Sequence, residues 1–274
     1  MSPPTVAITF ACYNQVDYTR QCVDSMVRHG QDLSRLVVVD NCSHDDTRAY
    51  LRSLPLGGLI FNQDNLGCGV AWNQGVLALQ ADWSIIMNND VLVSAGWLHN
   101  LIEAAEEYQL RVISPAMIEG ALDYDFDAFA ANAGVKMKQA LRLGVGHAVC
   151  MAVHRSVWME IGYFQPVPKL LGYEDTMFFH ELDKAGIKPG ITGRSWLHHY
   201  GSVTQTAMKL ERGLSQKDEL GYRYNHHLLR QSWLERKLKK LARTRQLKAW
   251  RDAEVRQFGF SMHGQRENES FHWL

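Results

Sequence analysis

Three polar clusters in this sequence are equipped for chemistry: Asn88-Asn89-Asp90 closing an apolar run, Glu174-Asp175 opening a helical pattern, and His198-His199-Tyr200-Gly201-Ser202. A carboxylate at a strand end offers a hard oxygen ligand to a divalent cation. A Glu-Asp pair supplies a general base for an attacking hydroxyl, although acids in a first helical turn also complement the helix dipole. A neutral imidazole suits metal ligation or a phosphate contact. Each cluster alone has an ordinary structural explanation. Their order, an acid-ended strand, then a Glu-Asp pair, then a His-rich strand end, describes one site.

Positioning such a site requires a sheet, and the apolar pattern supplies one. Val6-Ala7-Ile8-Thr9-Phe10 and Leu36-Val37-Val38-Val39 read as buried strands, each followed by a polar turn and a helical pattern, Asp17 to His29 and Asp45 to Leu54. Leu59-Ile60-Phe61 reads as a third strand, Leu66 to Leu79 as a helix interrupted early by Gly67 and Gly69, and Trp83 to Met87 as a fourth strand. This βαβ alternation implies an α/β fold with parallel strands. Ligands bind beyond the carboxyl ends of such strands, where Tyr13, Asp40 and Asp90 fall.

Beyond the fourth strand the pattern loosens. Residues 114–146, with Glu119, Asp123, Asp125 and Asp127 among Tyr124, Phe126 and Phe129, read as a mobile loop or lid. His147 to His154 reads as a strand, Ser156 to Ile161 as a short helix, and Asp175 to Ala185 as a helix stopped by Gly186. Between Arg223 and Arg256 eleven Lys/Arg face three Asp/Glu, with Leu234, Leu238 and Leu241 at i, i+4, i+7, which predicts a basic amphipathic helix. The stretch from Phe258 onward is polar with aromatics and reads as loosely held.

With 274 residues, 46% of them hydrophobic, the chain can bury a full core, and its formal net charge of zero gives no whole-molecule attraction to nucleic acid or membrane. Five cysteines without CxxC spacing (Cys12, Cys22, Cys42, Cys68, Cys150) read as buried thiols in a reducing compartment. The longest strictly apolar run, Ala148 to Val153, is far shorter than the ~20 residues of a membrane span, and residues 1–10 lack a leader pattern. These features predict a soluble cytoplasmic protein, with peripheral membrane association open.

Together the motifs resemble glycosyltransferase family 2 across roughly residues 5–205. Thr9 to Asn14 is similar to the family's first strand and Tyr-Asn turn, Val38 to Ser43 to its second strand with the base-binding Asp, and Asn65-Leu66-Gly67 with Asn73-Gln74-Gly75 to the opening of its third helix. Asn88-Asn89-Asp90 stands where the metal-binding triplet is expected, with two Asn in place of acids, and Gly172-Tyr173-Glu174-Asp175 where the family places its catalytic carboxylate.

The resemblance implies a GT-A fold and inverting transfer of a sugar from a nucleotide donor, UDP by default, to a hydroxyl acceptor such as a cell-envelope saccharide. It assigns Phe10, Ala11, Tyr13, Asn14, Asp40, Asn65, Gly67, Asn73, Asn88 and Asn89 to donor binding. Asp90 and His199 would hold Mn2+ or Mg2+. Asp175 is the expected base, with Glu174 as its alternate; His198, alternating to the other sheet face, packs. His147 and His154 read as structural or acceptor-side groups, Trp72, Trp97 and Trp158 as core, and Trp196 as a residue near the site.

The implied organisation is a catalytic domain over residues 1–214, with a nucleotide-binding half to about 113 and an acceptor half from 114, followed by a basic helical extension over 215–274. Truncation before Arg223 is expected to spare donor hydrolysis. The basic helix would contact an anionic membrane, a DNA acceptor of the phage-modified type, or only solvent. Oligomeric state is not set by these features. A nucleotidyltransferase would need a Gly-rich basic phosphate loop where Ala11-Cys12-Tyr13-Asn14 stands, and a dinucleotide oxidoreductase would need GxGxxG. A non-catalytic sugar or nucleotide binder on the same fold is the remaining alternative.

Overall fold

The β-branched runs of the N-terminal half form the strands their composition favours. The computed structural model describes residues 3–166, 174–201, 203–211, 213, 229 and 232–274. Strand β1 (Val6–Cys12) pairs in parallel with β2 (Leu36–Asp40) on one side and β4 (Trp83–Asn88) on the other, and β2 pairs in parallel with β3 (Gly58–Phe61). Helices α1 (Val16–Arg28), α2 (Thr47–Arg52) and α3 (Cys68–Ala78) connect them as the alternation predicts. Phe10, Val38, Ile85 and Met87 are fully buried between the sheet and these helices.

Two glycines of α3 set how closely it packs. A Cβ on Gly75 would lie 1.8 Å from Thr9 Oγ1, so only glycine lets the helix sit on β1. A Cβ on Gly69 would stand 3.2 Å from Cβ of Glu174, where the helix carrying the Glu-Asp pair approaches.

After β4 a short strand, β5 (Val91–Val93), leads to α4 (Trp97–Glu107) and then β6 (Val112–Gly120). Here the structure corrects the expected lid: residues 114–146 hold most of β6, α5 (Phe126–Lys136) and β7 (Leu141–Leu143). The acidic residues that suggest a loop are tied into the fold, Asp127 to Arg28 and His29 of the α1 end and Asp123 to Arg266. Asp125 caps α5 by accepting from Ala128 N at 2.9 Å, and Phe126 is core. The strand expected over 147–154 starts at Cys150, as β8 (Cys150–His154); α6 (Arg155–Ile161) and α7 (Glu174–Lys184) follow, and α7 ends before Gly186 at φ 70°.

Strand β9 (Gly190–His199) runs parallel to β6 and antiparallel to β5 and β7, with a register shift between Pro115 and Ala116. Helix α8 (Val203–Glu211) follows. The basic segment forms α9 (Trp233–Phe258), opened by a Ser232–Glu235 capping box and closed by Gly259 at φ 87°. Its first half is exposed, Leu234, Leu238 and Leu241 included, while residues 214–228, 230 and 231 lie outside the described residues.

The loosely held tail is a second correction. Residues 263–273 form β10 (His263–Glu267) and β11 (Ser270–Trp273); β10 pairs in parallel with β6 and β11 closes the edge of the sheet. Phe260 and Met262 are buried beside Phe126 and Trp196. Behind them Arg142 and Glu254 make a buried bidentate pair, both contacts 2.8 Å, with Ser261 Oγ accepting from the same guanidinium at 2.7 Å. Polar aromatics here alternate along strands, so one face of each packs while the other meets solvent. A truncation before Arg223 therefore removes sheet as well as the helix, and is no longer expected to leave the remainder unchanged.

Candidate active site

The strand ends converge on a cavity of about 520 Å³. One wall comes from the carboxyl ends of the parallel strands and the turns beyond them: Ala11 in β1 and Tyr13 after it, Asn41 after β2, Asn65 before α3, Asn88 at the end of β4, and Asn89 and Asp90 after it. The opposite wall holds Glu119, His147 and His199, and α7 contributes Glu174 and Asp175. Thr204 and Lys209 of α8 border it as well.

Strand register brings Asp90 to His199. Val91 of β5 lies opposite His199 of β9, and Tyr200 N donates to Asp90 O at 3.0 Å, so the acid and the imidazole sit on adjacent rungs. His199 Nε2 is 3.3 Å from Asp90 Oδ1 and 3.4 Å from Asn88 Nδ2. Asp90 Oδ1 is nevertheless buried without a well-aligned hydrogen bond. Its close partner in this geometry is the His199 imidazole, and a cation between the carboxylate and the imidazole would take the place of that contact.

Burial alone would lower the His199 imidazole, but the carboxylates of Asp90 and Glu119 at its two nitrogens outweigh that and push it up to about 9. The same bonds, from His199 and His263, hold the Glu119 carboxyl well below the usual carboxylate range. His198 takes the other face as expected: it is fully buried, 3.0 Å from Tyr124 Oη through Nδ1, and lowered to about 4 by burial. His147 donates Nε2–H to Pro115 O at 2.8 Å and is also pushed down to about 4 by burial.

Among the described residues no group of three or more His, Cys, Asp or Glu side chains encloses a cation position. Asp90 and His199 thus offer two ligands, an arrangement suited to a hard cation that completes its shell with substrate phosphates and water.

At the mouth of α7, Asp175 Oδ1 accepts from Thr176 N at 2.6 Å and from Thr176 Oγ1 at 3.3 Å, which steers the carboxylate at the cavity rim. Glu174 is buried against α3. Gly172, Tyr173 and Ser202 of the sequence motifs lie outside the described residues.

Several residues expected at the donor have partners within the chain. Phe10 is fully buried core. Asp40, also fully buried, accepts from Arg48 Nε at 2.6 Å and from Ser43 N, so its carboxylate holds the β2 turn while Asn41 beside it reaches the cavity. Asn73 clamps the backbone of Phe164, donating to its carbonyl at 2.8 Å and accepting from its N–H at 3.0 Å. Asn14 accepts from His44 N at 2.7 Å and donates to Glu211 Oε1 at 3.0 Å, linking the β1 turn to α8. Gly67 lends its carbonyl to Asn41 Nδ2 at 3.2 Å. Trp97, Trp158 and Trp196 are core, Trp72 is buried at the cavity edge, and His154 caps α6.

Sequence reasoning missed Glu119, Lys209 and, behind Glu119, His263. Nothing local marks them: Glu119 sits in an acidic run, and its partners lie 80 and 144 residues away.

The family model for glycosyl transferase family 2 matches residues 8–159, more than half of the 274-residue chain. The chain belongs to this family. Among curated relatives of this family 2 member, the succinoglycan biosynthesis protein ExoO of Rhizobium meliloti (strain 1021) is 31% identical over 105 residues, 38% of this chain and 30% of that protein. The putative glycosyltransferase EpsH of Bacillus subtilis (strain 168) is 22% identical over 108 residues, 38% of this chain and 31% of that protein. The matches to such relatives span between 15% and 31% of their length.

Solved structures share the architecture of this family 2 chain. GalNAc-T7 with UDP, GalNAc and Mn2+ superposes with a TM-score of 0.56 at 14% identity, over 72% of this chain and 44% of that one. The mannosyltransferase PcManGT from Pyrobaculum calidifontis in complex with GDP-Man and Mn2+ gives 0.55 at 18% identity, over 77% and 61%. The fold is the GT-A fold, as the motif resemblance implies.

Proposed function

We propose that this family 2 chain is an inverting glycosyltransferase that passes a sugar from a nucleoside-diphosphate donor to a hydroxyl of a cell-envelope saccharide. The observation that carries the reading is the single cavity that Asp90, His199 and Asp175 all line. The nucleotide would rest against Tyr13, Asn41 and Asn65. Asp90 and His199 fit a Mn2+ or Mg2+ ion through the buried Asp90 oxygen and the imidazole that faces it. Bound there, the ion would neutralise charge developing on the departing diphosphate.

Asp175 takes the proton of the acceptor hydroxyl as that oxygen attacks the anomeric carbon. Displacement from the face opposite the leaving phosphate inverts the configuration. Glu174, buried against α3, supports the start of α7 and is the alternate base. The similarity to ExoO, a succinoglycan biosynthesis protein, supports a saccharide acceptor. The exposed, basic first half of α9 supports an acceptor carried at an anionic membrane surface; salt-sensitive binding to anionic vesicles, absent with neutral ones, tests that part.

The test of the whole reading is a thermal-shift panel of UDP, GDP, dTDP and CMP, each with and without Mn2+, on wild type and Asp90→Ala. A metal-dependent rise with one nucleotide, lost in the variant, is expected. No response to any of them would leave the chain a non-catalytic member of the fold.

A further inference from the structure

Strand β10, the last parallel strand of the sheet, carries a side chain into the polar network behind the cavity. Glu119 of β6 lies directly opposite His199 of β9, and His263 of β10 lies opposite Met117, two residues back on β6. Side chains two apart on a strand share a face, so Glu119, His199 and His263 project to one side of three adjacent strands. The distances follow: His199 Nδ1 to Glu119 Oε1 is 3.0 Å, and His263 Nε2 to Glu119 Oε2 is 3.0 Å.

We propose that Glu119 and His263 are positioning residues for the cation site, Glu119 fixing the His199 ring and His263 fixing Glu119. This inference rests on the proposed role of Asp90 and His199. With Nδ1–H donated to Glu119, the His199 ring is turned so that Nε2 faces Asp90 and Asn88, the orientation a cation ligand needs.

Each Glu119 oxygen has its own imidazole, on a different strand. The carboxylate is thereby held in one rotamer, and the ring it holds inherits that order. A carboxylate serving only to join strands would have no need to end on the one imidazole that faces Asp90. Neither histidine falls within the family-matched residues 8–159, so part of the site is built by the chain that follows them.

The test measures Mn2+ binding by the full chain, with Mn2+ alone and with Mn2+ plus UDP, by titration calorimetry and by electron paramagnetic resonance of free Mn2+. Wild type, Asp90→Ala, Glu119→Ala, Glu119→Gln and His263→Gln are compared, each with its thermal unfolding curve. Glu119→Ala is expected to weaken Mn2+ binding about 10–100-fold, Glu119→Gln less because its amide oxygen still accepts from Nδ1–H, and His263→Gln least. Asp90→Ala should abolish binding.

If Glu119→Ala does not fold, the two Gln variants decide. Mn2+ affinity within twofold of wild type in Glu119→Ala, or in both Gln variants, with Asp90→Ala inactive for Mn2+, overturns the positioning role and leaves the cation site standing. Wild type that takes up no Mn2+ under either condition overturns the cation site, and the inference with it. Weakened binding in a variant whose unfolding curve matches wild type supports the inference, because a purely structural strand link would move stability and not affinity.

Discussion

The two walls of the cavity are built in different ways. The wall proposed for the donor draws its lining from residues 11–90, at the ends of β1, β2 and β4 and the start of α3, and these ends are tied to one another by turns and adjacent parallel strands, as where Asn14 N donates to Ser43 and Asn41 donates to Asn65. The far wall joins Glu119, His147 and His199, with His263 behind, and none of these is placed by a local turn motif. A turn carries its conformation in a few residues; a rung across three strands exists only once register is set. The first kind of wall is therefore readable from motifs, and the second depends on the whole sheet.

The largest expected effect tests whether the two walls serve one reaction. Asp175→Asn should lower sugar transfer about 10²–10⁴-fold while nucleotide binding persists, read by single-turnover assay; near-normal turnover would separate Asp175 from the chemistry. Next comes the support of the far wall. Glu254→Ala would strand the buried Arg142 guanidinium and cost about 3–5 kcal/mol by denaturant unfolding, whereas the paired change Arg142→Met with Glu254→Leu should recover most of it.

Acidification should strain β9 and the segment that carries His147. Burial lowers His147 and His198 from 6.5 to about 4, so the folded state keeps them neutral. Their contribution is intact above the unfolded value and declines as pH falls from about 6.5 to 4, by up to roughly 3 kcal/mol each. Unfolding of His198→Phe across that range should be less acid-sensitive than wild type; an identical profile would acquit His198.

On the donor side, Gly75→Ala forces a methyl onto Thr9 Oγ1 and should cost about 1–3 kcal/mol, with Thr9→Ala relieving part of the loss. The smallest effect is expected furthest from either wall. Ser232→Ala removes the α9 capping box and should cost about 1 kcal/mol of helix stability, read by hydrogen exchange at residues 233–238 without change at the cavity.

Sequence alone gave the parallel half of the fold closely, because runs such as Leu36 to Val39 are buried on both faces and their βαβ rhythm leaves few arrangements. The Asp90, Asp175 and His199 positions were legible for the same reason, each at the end of a strong element. The sequence around Glu119 reads as a lid because its neighbours are acidic and aromatic, whereas Asp125 caps α5 and Phe129 packs on Trp196. The strands after Phe258 escaped notice because their solvent faces are polar. Asp40 and Asn73 matched motif positions, yet Arg48 and the Phe164 backbone claim their side chains, a choice made by packing that no motif spells out.

The parallel pairing of β10 with β6 also bears on the order in which the molecule is made. Ribosomal synthesis delivers Glu119 long before His263, 144 residues later, and contacts this distant are slow to form. A nascent chain can fold its donor-side turns while Glu119 still lacks its second imidazole. Chains interrupted during translation before residue 263 would thus carry the turns of the first wall and an unfinished far wall, which ties completion of the cavity to completion of the sheet.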